Sequence, residues 1–152
     1  MYTSNPIGTT PCACTTIKKL SRVLGRTYDN ALSGAGINIT QLAVLRCISR
    51  RGGEPLVRVA EELEMERTSL YRAINPMVRD GWLVLANRAD ARSRTAKITR
   101  KGGQILAKSS TGWEEVQNHL IMKFGRNAYS SLIQELHRLA DCANDSGFRV
   151  CQ

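Results

Sequence analysis

Six residues between positions 67 and 75 carry the chemistry that stands out in this sequence: Arg67, Thr68, Ser69, Tyr71, Arg72 and Asn75. Guanidinium groups match guanine edges and phosphates. Hydroxyls, a phenol and an amide bond to base edges or to the sugar-phosphate backbone. A second group follows in Asn87–Arg94, where Arg88, Arg92 and Arg94 surround one acid, Asp90. Arginines on such a tip suit a narrow minor groove. A third group is made of thiols near the two ends of the chain, Cys12 and Cys14, then Cys142 and Cys151. A thiol at a helix start is biased towards thiolate by the helix dipole. Catalytic sets are missing by comparison. The two histidines, His119 and His137, fall in no Ser/His/Asp or Cys/His constellation. Gly52-Gly53 and Gly102-Gly103 lack the Lys-Ser/Thr of a phosphate loop. Cys12-x-Cys14 is one residue short of the usual zinc spacing, with no second pair behind it. The expectation is a binding protein, not an enzyme, with no metal and no cofactor.

Hydrophobic spacing shows what must hold these groups in place. Ile17, Leu20, Leu24, Tyr28 and Leu32 form one stripe of a helix of about twenty residues that starts after Pro11. Gly34 and Gly36 end it. Asn38 and Gln41 read as a capping box for a second helix with Leu42, Leu45 and Ile48 inward. Arg50-Arg51-Gly52-Gly53 stops that helix. Pro55 opens a third, with Leu56, Val59, Ala60 and Leu63 inward. After a break at Glu64-Met65-Glu66, a fourth helix puts Leu70, Ile74, Met77 and Val78 on one side and the six polar residues on the other. Pro76 within it predicts a bend or weakened last turns. Residues 82–85 and 96–99 read as paired strands with 87–94 as the hairpin tip. Ile105 to Phe124 and Tyr129 to Ala143 mark two further helices separated by Gly125. The order is α-α-α-α-β-β-α-α. Two short helices joined by a tight turn, followed by a basic hairpin, make a winged helix-turn-helix: mainly α, with a small β-wing.

The 152 residues carry a formal net charge of +9. Residues 37–101 hold 13 basic and 7 acidic side chains, whereas residues 102–152 hold five of each. A local surplus beside a neutral third is the pattern of a surface for polyanions joined to a scaffold. No apolar run approaches the ~20 residues of a membrane helix, and Met1–Pro6 does not read as a secretory signal. Five scattered cysteines suit a reducing, cytoplasmic setting better than a disulfide framework.

The segment Leu56–Gly102 resembles the MarR family of bacterial transcriptional regulators. The resemblance is carried by Leu63-Glu64-Met65-Glu66-Arg67-Thr68-Ser69-Leu70-Tyr71-Arg72, by Asp80-Gly81-Trp82-Leu83, and by a wing pattern in Asp90-Ala91-Arg92 followed by Ile98-Thr99-Arg100-Lys101-Gly102. It extends in outline over residues 12–145. It implies a homodimer in which 12–36 and 102–145 are dimerisation helices. The winged domain, 37–101, would read double-stranded DNA at a palindrome with half-sites ~34 Å apart. Residues 1–11 and 146–152 would be a flexible N-terminal tail and a C-terminal tail. Repression by occupying a promoter is the implied action. Release would come from a small aromatic effector between the dimer layer and the winged domain, with Leu20, Leu24 and Trp113 as pocket candidates.

Some members of the family sense oxidants through a cysteine near the N-terminus, which keeps open a redox reading for Cys12 or Cys14 with Cys142 or Cys151. Side chains two apart on a helix diverge, which argues against a Cys12–Cys14 pair. Cys47 reads as a buried apolar filler. An architectural DNA-binding protein without effector control is the remaining alternative, and an interaction module is disfavoured by the arginines on the tip. An acid on a DNA-facing tip repels phosphate, so Asp90 makes sense if it pairs with Arg92 and holds the tip in shape, as the family's wing acid does. Asp90→Ala is therefore expected to weaken DNA binding although it removes a negative charge. An electrophoretic mobility shift showing unchanged or tighter binding would refute that role.

Overall fold

The structure is a computed structural model, and it describes residues 11–87 and 94–145. Helix α1 spans Ala13–Leu32 and runs into a single 3-10 turn, Ser33–Ala35, closed by Gly36 at φ 72°. Helix α2, Ile39–Arg51, begins with the capping box read from the sequence: the Gln41 N–H donates to Asn38 Oδ1 at 2.8 Å and the Asn38 N–H to Gln41 Oε1 at 3.2 Å. A further start signal comes from α1, whose Asp29 Oδ1 accepts the Ile39 N–H at 2.7 Å. Two carboxyl or amide oxygens thus satisfy amides that the first turn of α2 leaves open.

Gly52 at φ 54° ends α2. Helix α3 is Leu56–Glu62, with Pro55 at its N-cap, and helix α4 is Arg67–Arg79. The turn between them passes through Glu64 at φ 48°, a left-handed conformation for a residue with a Cβ. Pro76 lies within α4 without ending it: the helix continues to Arg79, and the Pro76 carbonyl accepts the Asp80 N–H at 2.9 Å.

The wing consists of β1, Leu83–Asn87, and β2, Arg94–Ile98, antiparallel, with Leu83 opposite Ile98 and Asn87 opposite Arg94. Both strands reach about two residues further towards the tip than the apolar pattern predicts. Arg94 is consequently the first residue of β2 rather than part of the tip. Main-chain pairing is indifferent to side-chain polarity, and β2 is held from its other side by a bridge between Thr95 and Pro55. Arg88, Asp90, Arg92 and Cys151 lie outside the described residues, as do the terminal segments 1–10 and 146–152.

The core is built by α2, α3, α4 and the wing. Leu42, Val44, Leu45 and Ile48 of α2 meet Leu56 and Val59 of α3, Leu70, Ile74 and Met77 of α4, and Trp82, Leu83 and Ala96 of the wing, all buried. Cys47 is fully buried among them, as its place beside the apolar stripe predicts. Helix α5, Arg100–Phe124, and helix α6, Arg126–Asn144, follow, with Gly125 at φ 91° between them. The chain divides into two compact units, one ending at Trp113 and the other starting at Glu114. This division falls inside α5 and not at residue 102, where charge and family likeness place the functional boundary. In the second unit the Gln117 side-chain amide donates to the Tyr129 hydroxyl at 2.8 Å. Helix α6 buries none of its residues, and Met122, Phe124 and Leu139 stand exposed.

The start of α5 is bound to the start of β1 by one residue. Thr99 Oγ1 donates to the Gly81 carbonyl at 2.7 Å and accepts the Gly102 N–H at 3.0 Å, while the Thr99 N–H donates to the Trp82 carbonyl at 3.0 Å. The approach leaves no room at Gly102: an added Cβ would meet the Trp82 carbonyl oxygen at 2.2 Å and Ile98 Cγ1 at 2.8 Å. Gly102→Ala is expected to destabilise the fold by roughly 1–3 kcal/mol, as overpacking does. Urea unfolding followed by circular dichroism would show it as a lowered midpoint, with Gly103→Ala, where an added Cβ meets nothing within 4 Å, as the control.

Candidate nucleic-acid interface

Helix α4 separates its two faces sharply. Leu70, Ile74 and Met77 are buried, at spacings of four and three. Arg67, Thr68, Ser69, Arg72 and Asn75 are exposed, and Tyr71 is half-buried. The sequence-derived reading residues on this helix therefore share one surface, with the small hydroxyls in the first turn, where a helix entering a major groove meets base edges. The N-terminal end is open. An exposed cleft of about 280 Å³ there is lined by Val57, Ala60, Met65 and Arg67 together with Glu61, Glu64 and Glu66. Glu66 is the N-cap residue, but its side chain makes no capping bond. The sequence reading passed over it as part of a break between helices.

The wing contributes Arg94, exposed at the head of β2. Its neighbour Thr95 is buried, with its hydroxyl 3.4 Å from the Ala86 carbonyl. The next residue, Ala96, is buried as well, so Arg94 is the exposed end of the strand.

An ion-pair network, also missed by the sequence reading, fixes α3 against the end of α2. Glu62 accepts from Arg50 and from Arg51 Nε at 2.6 Å, and Arg51 Nη1 reaches Glu54 at 2.5 Å. The charge signal was present in Arg50-Arg51 and Glu54, but no local pattern indicates that Glu62 faces them. These contacts, led by Arg51, hold the Glu62 carboxyl below its ordinary pKa, and the same acids, Glu54 first, raise Arg51. Beneath them the Cys47 thiol is pushed up, chiefly by burial and then by Glu62. Arg58 pairs with Glu61 at 2.9 Å and Arg79 with Asp80 at 2.9 Å.

The remaining sequence candidates separate. Trp113 lies under Arg46 of α2, with the guanidinium carbon 4.1 Å from the ring centroid, a cation–π contact between α2 and α5. Leu24 is half-buried and Leu20 exposed on α1. Close to Trp113, α5 crosses α1 so tightly that a Cβ on Gly112 would meet the Ala31 carbonyl oxygen at 2.4 Å. Cys12, Cys14 and Cys142 are free and exposed. Cys12 is the extended N-cap residue of α1 and not a helical one (φ −68°, ψ 114°), so the divergence of helical side chains does not separate it from Cys14. Its thiol is held below the ordinary value, first by the Thr15 amide and next by the Thr15 hydroxyl. Among the described residues no three His, Cys, Asp or Glu side chains converge as a metal site. No single described helix is long and apolar enough to cross a membrane.

Comparison with known proteins places this geometry. The family model described as the IclR helix-turn-helix domain matches residues 42–85, which run from α2 through β1. The M. tuberculosis transcriptional regulator MosR, solved in complex with DNA, is 31% identical with a TM-score of 0.77. The alignment covers 88% of this chain and 98% of that one. A mutant MarR from E. coli complexed with operator DNA has a TM-score of 0.75 at 19% identity, over 83% of this chain and 91% of that one, and shares the fold. The HTH-type transcriptional regulator BilQ of Clostridioides difficile (strain CD3) is 26% identical over 84 residues, 55% of this chain. The match spans 57% of the length of BilQ.

The Glu62 network gives the interface a pH signature. Its carboxyl titrates lower in the folded chain than the ordinary 4.5, so its contribution to stability is complete above that value and is lost as pH falls through the folded one. Wild-type protein is expected to lose stability between pH ~5.5 and ~3 more steeply than Glu62→Gln. Urea midpoints measured across that range check the difference, and parallel curves would contradict it.

Proposed function

Because the chain belongs to the MarR family of winged helix-turn-helix transcriptional regulators, we propose that it is a homodimeric, sequence-specific DNA-binding regulator. It represses by occupying a palindromic operator and is released by a small aromatic effector. The observation that carries the DNA reading is the face of α4, where five polar side chains stand exposed over a buried Leu70-Ile74-Met77 stripe. Such a face does nothing for the core and matches what a major groove presents. The likeness to MosR in complex with DNA supports it.

In this reading Arg67 and Arg72 contact guanine or phosphate. Thr68, Ser69, Tyr71 and Asn75 bond to base edges or backbone, and Arg94 with the tip residues Arg88 and Arg92 follows the adjacent minor groove. Asp90 keeps the tip in shape. The exposed apolar residues Ile17, Leu20 and Val23 of α1, and Met122, Phe124 and Leu139 of the second unit, supply material for contact between copies. The effector candidates Leu20, Leu24 and Trp113 rest on family likeness.

A second reading has its own observation. Cys12 is exposed with a lowered thiol pKa, the condition for reaction with oxidants. Release would then follow oxidation of Cys12 or Cys14, with Cys142 or Cys151 as resolving thiols.

Fluorescence anisotropy separates these readings. DNA from upstream of the coding sequence is compared with random duplex at physiological salt, in reductant and after mild peroxide. Selective binding in reductant is expected, and Arg72→Ala is expected to cost about 1–3 kcal/mol of it. Loss of binding after peroxide, absent in a Cys12→Ser variant, selects the redox reading. Selective binding that is insensitive to peroxide keeps the regulator, overturns the redox reading and sends the search to small aromatic ligands. Binding that ignores sequence and collapses with salt refutes the regulator in favour of an architectural protein.

A further inference from the structure

We propose that Glu66 is a base-reading residue, whose carboxylate accepts a hydrogen bond from the exocyclic amine of a cytosine in the major groove. The assignment rests on the DNA-binding reading above and adds a specificity determinant to it.

Four of the acidic side chains described between residues 37 and 101 are held by arginine: Glu54, Glu61, Glu62 and Asp80. Glu64 and Glu66 hold no cation among the described residues. Glu64 belongs to the turn, three residues before Arg67, the first residue of α4. Glu66 directly precedes Arg67, Thr68 and Ser69, is exposed, and takes extended backbone angles of φ −61° and ψ 142°. An aspartate in that position caps a helix by accepting from the amides of its first turn, whereas a glutamate, one methylene longer, is not a preferred cap. The Glu66 side chain makes no capping bond and stands at the start of the polar face of α4 with its acceptor oxygens uncommitted, lining the cleft together with Val57, Met65, Arg67, Glu61 and Glu64.

Charge then restricts its use. Phosphates within a Debye length of ~8 Å repel a carboxylate on every DNA sequence. Glu66 therefore opposes binding except where a base supplies a donor. Two bases supply one in the major groove, through cytosine N4 and adenine N6. The adenine amine lies between two acceptors, its own N7 and thymine O4, which would face the carboxylate with like polarity. The cytosine amine sits at the outer edge of its pair with an acceptor on one side only. A carboxylate therefore favours cytosine, whereas a carboxamide, which also donates, favours adenine through N6 and N7.

The test is selection of binding sites from a randomised duplex pool with the full chain, as wild type, Glu66→Ala and Glu66→Gln, followed by anisotropy on the recovered sites. Wild type is expected to prefer cytosine at one position of each half-site, roughly ten- to hundredfold over other bases. Glu66→Ala should lose that preference at that position alone and bind random duplex several-fold more tightly. Glu66→Gln should move it to adenine. A cytosine preference that survives Glu66→Ala overturns the proposal, as does a loss of affinity uniform over all sequences, which is the mark of a helix-positioning role. Wild type that selects no sequence overturns the DNA reading itself and this assignment with it.

Discussion

The knot at Thr99 is the constraint on which the rest of the winged domain depends. One hydroxyl donates to the Gly81 carbonyl and accepts from the Gly102 amide, and the backbone of the same residue is bound to Trp82. The end of α4, the root of the wing and the first turn of α5 therefore share one short stretch of main chain. Only a residue without a Cβ allows α5 to pass that close to the Trp82 carbonyl. With α5 fixed at its start, the Arg46–Trp113 contact and the Gly112–Ala31 crossing seat it again three turns on, against α2 and α1. None of these contacts uses Arg67, Thr68, Ser69, Tyr71, Arg72 or Asn75.

Much of this was legible in the sequence because it rests on local rules. The Asn38/Gln41 box, the α1 stripe ending at Leu32 and the buried Leu70, Ile74 and Met77 follow from spacing alone. What was not legible depends on partners distant in the chain. Nothing near Asp29 announces that it caps a helix ten residues on, and nothing near Glu62 announces that Arg50 and Arg51 face it. The strand ends were misplaced because side-chain pattern marks where a strand is buried, while the ladder continues as far as the backbones stay in register. Pro76, expected to bend α4 or weaken its last turns, lies inside a helix that continues to Arg79, with Ile74 and Met77 buried on either side of it.

Electrostatics divides the winged domain into committed and uncommitted charge. Arginines at 50, 51, 58 and 79 are engaged by acids and serve the fold. Arg67, Arg72 and Arg94 stay exposed on α4 and the wing, where a polyanion would meet them. The surplus of the middle third is therefore not spread evenly, and net charge by itself understates how directional the surface is.

The left-handed backbone at Glu64 carries a consequence of its own. A residue with a Cβ is held there at a cost of roughly 1–2 kcal/mol relative to its relaxed form. That cost is met locally: Glu64 closes α3 in a Schellman cap, with the Met65 N–H donating to the Ala60 carbonyl at 2.9 Å and the Glu64 N–H to the Glu61 carbonyl at 3.2 Å. The direction in which the chain leaves α3 towards α4 is thus set by two main-chain hydrogen bonds of the turn itself.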